Sequence, residues 1–239
     1  ALRTRAFRLI AMMYLLVGIG LQMINAHIVA YSELKGLPPM TAAIVLSAIS
    51  GASIPGRIIS GMISDRIGRK STLAACVFLE GMMILGLMRA SSAGPIFLLA
   101  AAFGLGYGGH ATQFPALIGE MLGLSHMGAI LGAAVFFWGI GGALGPILAG
   151  RIFDLTGDYS SAFIIGAIAM LLAVAASFFL LVGRVISSDL KPEIVEQLKK
   201  NQGIGQPKHH LQDSKGIDFS GLIDHKKKAE QYRELLLLD

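Results

Sequence analysis

Six stretches of apolar residues, each long enough to cross a lipid bilayer as a helix, constrain this chain more than any other feature of its sequence. They occupy residues 7–31, 40–63, 71–88, 95–118, 127–149 and 162–183. A hydrocarbon core about 30 Å thick takes roughly 20 helical residues to cross. Lipid offers no partner to an open backbone, so each stretch must satisfy its own amides, and none shows the two-residue alternation of a barrel strand. The expected fold class is an all-α membrane protein with six transmembrane helices. Short connections at 32–39, 64–70, 89–94, 119–126 and 150–161 make consecutive helices antiparallel neighbours.

Composition points the same way. The 239 residues are 54% hydrophobic and 15% charged, and a mean hydropathy of +0.66 excludes a water-soluble domain of this size. The thirty glycines read as packing surface, because small residues let membrane helices approach closely. Three glycine pairs at i, i+4 make such faces: Gly104 with Gly108, Gly128 with Gly132, and Gly141 with Gly145. The lone Cys76 has no partner for a disulfide and reads as a buried structural thiol.

The net charge of +5 does not indicate nucleic acid. Its cations cluster in the first eight residues, in the 64–70 connection and after residue 183, a distribution that orients a membrane protein. Six spans put both ends on one side, together with Arg3, Arg5, Arg8, Arg66, Arg69, Lys70 and Arg184. The other side holds Lys35, Arg89 and Arg151. The positive-inside bias then places both termini in the cytoplasm, in a protein of the plasma or inner membrane. Residues 1–183 form the expected transmembrane domain. Residues 184–239 form a hydrophilic cytoplasmic tail, with helical signals at 192–200 and 222–238. No cleavable signal follows the basic start, and the initial Ala1 leads to the expectation that the chain starts inside a longer polypeptide or after processing.

The sharpest local pattern runs from Gly61 through Asp65, Arg66, Gly68, Arg69 and Lys70. Asp65 is expected at the end of one helix, with Arg66, Arg69 and Lys70 opening the next and Gly68 permitting the sharp turn. Charge pairs there would latch two helices together. A loop serving orientation alone would need the cations but not the aspartate and the spaced glycines.

This stretch resembles the G-x-x-x-D-R-x-G-R-[RK] signature of the major facilitator superfamily, whose members alternate access between two six-helix halves. A second stretch, Gly141-Gly142-Ala143-Leu144-Gly145-Pro146 continuing through Gly150-Arg151-Ile152-Phe153-Asp154-Leu155-Thr156-Gly157-Asp158-Tyr159, is similar to the eleventh span and following loop of its monocarboxylate transporter and oxalate/formate antiporter branches. Phe7, Tyr14, His27 and Tyr31 in the first span, and Gly56-Arg57 ahead of the signature, agree with the carboxy-terminal half. The resemblance implies one half of a transporter, moving a small organic anion by symport or antiport once an amino-terminal six-helix half completes it.

Arg57 lies about seven residues before the end of its apolar stretch, roughly 10 Å deep at 1.5 Å per residue. Intramembrane charges are costly and mark function by default, although a long side chain at that depth could also snorkel. The resemblance adds that an arginine at the matching place engages the substrate carboxylate. Two departures accompany it. The acidic residue four positions earlier is Ser53 here, and the lysine of the oxalate branch has no counterpart in 127–149. A single fixed cation suits a monoanion over a dianion.

Tyr14, Asn25 and His27, with Gln22, Tyr31 and Gln113, are further polar residues that could line a cavity or stitch helices together. Glu80 could pair with Arg57, carry a coupled proton or face lipid in protonated form. His110, like His27, is either a satisfied interior histidine or a proton carrier. No enzyme constellation, metal-ligand cluster or cofactor site can be assembled. His209 and His210 lack further ligands, and Gly104-x-Gly106-x-Gly108-Gly109 follows no strand as a nucleotide loop would. A non-transporting scaffold or an intramembrane enzyme remains as the alternative function.

Overall fold

The computed structural model describes residues 4–123 and 126–179, and within them the chain forms six helices. They are α1 (Arg5–Leu34), α2 (Pro39–Ile67), α3 (Arg69–Arg89), α4 (Ala93–Leu122), α5 (Met127–Thr156) and α6 (Ser160–Phe179). All but α4 are apolar and long enough to cross a membrane. At 30 residues α4 has ample length, but its glycines, His110 and Gln113 dilute its hydropathy. The sequence expectations for the tail, including the helical signals at 192–200 and 222–238, lie outside the described residues.

The helices outrun the apolar stretches because their ends carry polar residues that stay helical. The expected connection at 64–70 contracts to Gly68. Asp65 and Arg66 complete α2, and Arg66 therefore does not open the next helix as the sequence suggested. Gly68 adopts φ +86° and donates its backbone N–H to the Ser64 carbonyl at 2.9 Å, ending one helix and starting the next in a single residue. Only glycine takes that φ without steric cost. Likewise α5 continues through Arg151 and Asp154 to Thr156, where the left-handed Gly157 closes it by donating to the Phe153 carbonyl at 2.8 Å.

Two tight pairs, α1 with α5 and α2 with α4, build the interior, and α3 packs against α4. Glycine decides where backbones meet. A methyl group at Gly104, Gly56 or Gly108 would run into the backbone of Ile49, Leu105 or Ser53, so α2 and α4 cross with nothing between their main chains. Gly141 and Gly145 bring α5 equally close to Leu15 and Ile19 of α1. The third expected pair behaves differently: Gly128 and Gly132 face open space, so that spacing packs nothing among the described residues. On the far side, α6 reaches α1 where Gly20 meets Gly166 and Met170, and α3 where Gly81 meets Met170.

Coverage is uneven. In α1, 61% of the apolar stretch is buried, against 28% in α2 and 17% in α5. The outward faces of α2 and α5 present Ile54, Ile58, Met62, Phe136, Ile147 and Leu155.

Candidate functional site

Carrying the chain's least expected residue, α2 presents two different flanks. Arg57 and Ile59 are two positions apart, about 200° around a helix of 3.6 residues per turn. Ile59 and Ile63 turn toward α3 and line a groove of about 230 Å³ with Thr72, Cys76 and Gly106. Arg57 lies on the other flank, exposed, and its guanidinium makes no ion pair or hydrogen bond among the described residues. Because α2 continues to Ile67, Arg57 stands ten residues from the helix end, about 15 Å rather than the 10 Å expected from the apolar stretch. Pro55, two residues earlier, cannot donate to the Gly51 carbonyl and leaves that acceptor free of its helical bond.

Glu80 does not pair with Arg57 and does not face lipid. It is fully buried at the middle of α3, and its Oε1 lies 2.5 Å from Nδ1 of His110, itself 3% exposed on α4. Two of the residues weighed separately in the sequence thus form one unit. Oε2 of Glu80 is buried without a hydrogen-bond partner. The imidazole is flanked by Tyr107, with centroids 5.7 Å apart, and meets Phe114 edge-on at 5.8 Å. Tyr14 of α1, expected in a cavity, is buried with its ring 4.1 Å from that of Phe114.

One turn farther along α4, Gln113 donates from Nε2 to the Ser60 carbonyl of α2 at 3.2 Å, while its own Oε1 is buried and unpaired. The Ser60 hydroxyl donates to the Arg57 carbonyl at 3.1 Å and meets the Thr112 hydroxyl at 3.2 Å. Ser60 and Thr112 escape sequence reasoning because neither is unusual in a membrane helix. Only the α2–α4 crossing gives them a role.

His27 is held by neutral groups. Its Nε2 lies 3.1 Å from the Pro146 carbonyl, which can only accept, so that nitrogen carries a proton; Nδ1 lies 3.1 Å from the Tyr159 hydroxyl. Tyr159 stacks on Phe153 and Phe163. These contacts tie α1 to α5 and α6. Asn25, half-buried, donates to Gln22 Oε1 at 3.2 Å. Tyr31 donates its hydroxyl to the Leu87 carbonyl, joining α1 to α3. Beside Tyr159, the Asp158 carboxyl is held below its ordinary range, chiefly by a hydrogen bond from the Ser160 hydroxyl, against a smaller opposing effect of burial. The Tyr159 and Ser160 amides and Lys35 add to the lowering.

At the Gly68 end, Arg69 approaches Glu120 of α4 at 3.9 Å, with both side chains substantially exposed. Such a pair contributes little by itself. It borders a recess of about 430 Å³ lined by Pro115, Gly119 and Met127. Glu120 went unnoticed in the sequence because it falls at the edge of an apolar stretch, where acidic residues are ordinary. Lys70 is buried, Asp65 and Arg66 are exposed, and a methyl group at Gly61 would meet no other element within 4 Å among the described residues.

Comparison with known proteins fits this geometry. Residues 3–222 match the Major Facilitator Superfamily. Among curated proteins, the chain is 28% identical over 180 residues to MFS transporter asaE of Aspergillus flavus, covering 74% of this chain and 40% of that one. It is 26% identical over 205 residues to monocarboxylate transporter 12 of Xenopus laevis, with 79% and 44% covered, and 28% identical over 173 residues to human monocarboxylate transporter 11, with 67% and 36% covered. The chain thus spans less than half the length of these relatives. Among solved structures, the transporter FucP in its outward conformation superposes with a TM-score of 0.60 at 18% identity, over 74% of this chain and 42% of FucP. A variant of the same Escherichia coli fucose:proton symporter gives 0.61 at 17%, with 74% and 43% covered.

Proposed function

Since the chain belongs to the Major Facilitator Superfamily, a family of membrane transporters and not enzymes, we propose that it supplies the carboxy-terminal six-helix half of a carrier for a small organic anion of the monocarboxylate class. The observation that carries this reading is the exposed Arg57 guanidinium, ten residues or about 15 Å from the end of α2, with no ion pair or hydrogen bond among the described residues. A fork of N–H donors matches a carboxylate in bidentate fashion, and a cation within an apolar membrane stretch is costly unless something else neutralises it. Asn25 and Gln22 add amides in this reading, while Tyr14 and His27, already engaged, hold the frame around them.

Gly51, Gly61, Gly128, Gly132 and Gly139, where an added methyl group would meet nothing from another element within 4 Å among the described residues, lie on α2 and α5. They suit close packing by a second six-helix half, the two halves rocking about a midplane site. The end bearing Gly61, Asp65, Arg66, Gly68, Arg69 and Lys70 serves as a latch on the cytoplasmic side, with both termini facing the cytoplasm of the plasma or inner membrane.

The test is uptake by the complete transporter in proteoliposomes, using lactate, pyruvate and acetate against succinate and oxalate. Losing a charged hydrogen bond worth about 1.5–3 kcal/mol should weaken monocarboxylate transport in Arg57→Gln by about ten- to a hundredfold. Arg57→Lys should recover only part of that, because it keeps the charge and loses the fork. Unchanged uptake in Arg57→Gln, at equal abundance, would remove Arg57 from the site.

A further inference from the structure

The groove of about 230 Å³ beside α2 has no part in the site described above, since it lies on the flank turned away from Arg57. Its floor is the half-buried Leu105 and the buried Gly106 of α4, and exposed Ile59, Ile63 and Ala75 stand on its walls. The walls are apolar even where hydroxyls occur. Thr72 donates its hydroxyl to the Gly68 carbonyl at 2.9 Å, and Ser60 donates to the Arg57 carbonyl at 3.1 Å. Both groups are engaged within the protein, so neither needs a guest to satisfy it. The groove runs along two helices that are long and apolar enough to cross a membrane.

The end nearest Gly68 is different. Ile59, Ile63 and Arg66 stand at i, i+4 and i+7, one stripe of α2. On α3, Arg69, Thr72, Cys76 and Leu79 stand at i, i+3, i+7 and i+10, again one stripe. The hairpin through Gly68 sets the two stripes level: Ile63 lies five residues before the glycine and Thr72 four after it, Arg66 two before and Arg69 one after. Roughly 10 Å of apolar wall, seven residues at 1.5 Å each, therefore ends on two guanidinium groups. Arg66 is exposed and makes no ion pair among the described residues, while Arg69 has a long, substantially exposed contact with Glu120. Asp65 sits about 100° around α2 from Arg66 and does not line the groove.

An apolar slot that ends on two cations is complementary to a lipid with an anionic head. We infer that this is a binding site for one anionic phospholipid, with an acyl chain between α2 and α3 against Leu105 and Gly106, and the phosphodiester at Arg66 and Arg69. Guanidinium meets phosphate oxygens in the same forked geometry as it meets a carboxylate. Every membrane helix is surrounded by acyl chains; the two arginines are what select one lipid, from the leaflet at the Gly68 end. Each cation near the surface is worth about fivefold in affinity for an anionic lipid. The site stands whether or not Arg57 binds a substrate, because the two lie on different flanks of α2.

The experiment is photocrosslinking of the complete transporter in phosphatidylcholine nanodiscs, with a trace of phosphatidylglycerol carrying a diazirine on its acyl chain and the labelled peptides mapped by mass spectrometry. Expected is labelling concentrated in residues 59–63 and 72–79. It should fall about fivefold in Arg66→Gln and in Arg69→Gln, and unlabelled phosphatidylglycerol should displace it where phosphatidylcholine and glycerol phosphate do not. Ala75→Trp, which fills the slot and leaves both arginines in place, should abolish labelling of residues 72–79. Should a variant not fold, the competition in the wild-type protein decides by itself. Equal labelling by a phosphatidylcholine probe, or labelling spread evenly over the outward faces of α2 and α5, shows surrounding lipid alone and overturns the site. Displacement by glycerol phosphate overturns the lipid in favour of a soluble phosphate. Crosslinks from residues 59–63 to a second polypeptide, with no lipid attached, overturn it in favour of a protein partner.

Discussion

His27 and His110 are both interior histidines on membrane-spanning helices, and they are held by different chemistry. His27 lies between a phenol and a peptide carbonyl. Both partners are neutral, one of them dictates which nitrogen carries the proton, and the imidazole has nothing to gain from a second proton except charge. His110 faces a carboxyl that is buried completely and whose second oxygen has no partner among the described residues. The same side chain is a rivet between neutral groups in one place and the partner of a buried acid in the other. The deciding fact is the partner, not the burial.

The sharpest way to break this contrast is to remove one member of the charged pair. His110→Leu leaves Glu80 buried alone and should destabilise the protein by about 3–5 kcal/mol, whereas the double replacement Glu80→Leu with His110→Leu should regain much of that loss. Unfolding in detergent, followed by circular dichroism, measures both. If the two single losses simply add, the residues do not act as a unit.

A smaller effect is expected at the other histidine. Tyr159→Phe removes one neutral hydrogen bond from His27 Nδ1 and should cost about 1 kcal/mol. Thermal unfolding measures it, and a loss as large as that of His110→Leu would erase the distinction between the two sites.

The smallest effect belongs to Asp158, next to Tyr159. Its carboxyl is lowered from an ordinary value of 3.8. A group depressed in the folded state contributes stability above its unfolded value, and that contribution disappears as pH falls through the folded value. Asp158→Asn should therefore be slightly less stable than the parent at neutral pH, and the difference should close below about pH 4. Thermal unfolding at the two pH values is the measurement, and a gap that widens in acid would reverse the sign assigned here.

The number and order of the spans were legible because apolar run length reports the thickness of hydrocarbon. The helix ends were not, since Asp65, Arg66, Arg151 and Asp154 are polar residues that remain helical beyond the apolar stretch. The site was legible as a set of residues and illegible as pairs. Arg57, Glu80 and His110 each stood out as polar groups in apolar surroundings, but the Glu80–His110 contact depends on the register of α3 against α4. That register is fixed by packing at Gly106 and Gly109 against Cys76 and Glu80, which no one-dimensional spacing encodes. Glycine spacing alone also failed to separate Gly104 and Gly108, which meet α2, from Gly128 and Gly132, which meet nothing among the described residues.

Gly68 alone separates α2 from α3. One residue spans at most about 3.6 Å, so the joint holds no slack, and neither helix can slide along the other by even one turn. Arg57 is eleven residues before this joint and Glu80 twelve after it. The two arms of the hairpin are thus nearly equal, like a pair of tongs pinned at the end. Any shift of α2 along its own axis must therefore drag the adjoining end of α3, with Arg69 and Lys70 on it, in the same direction.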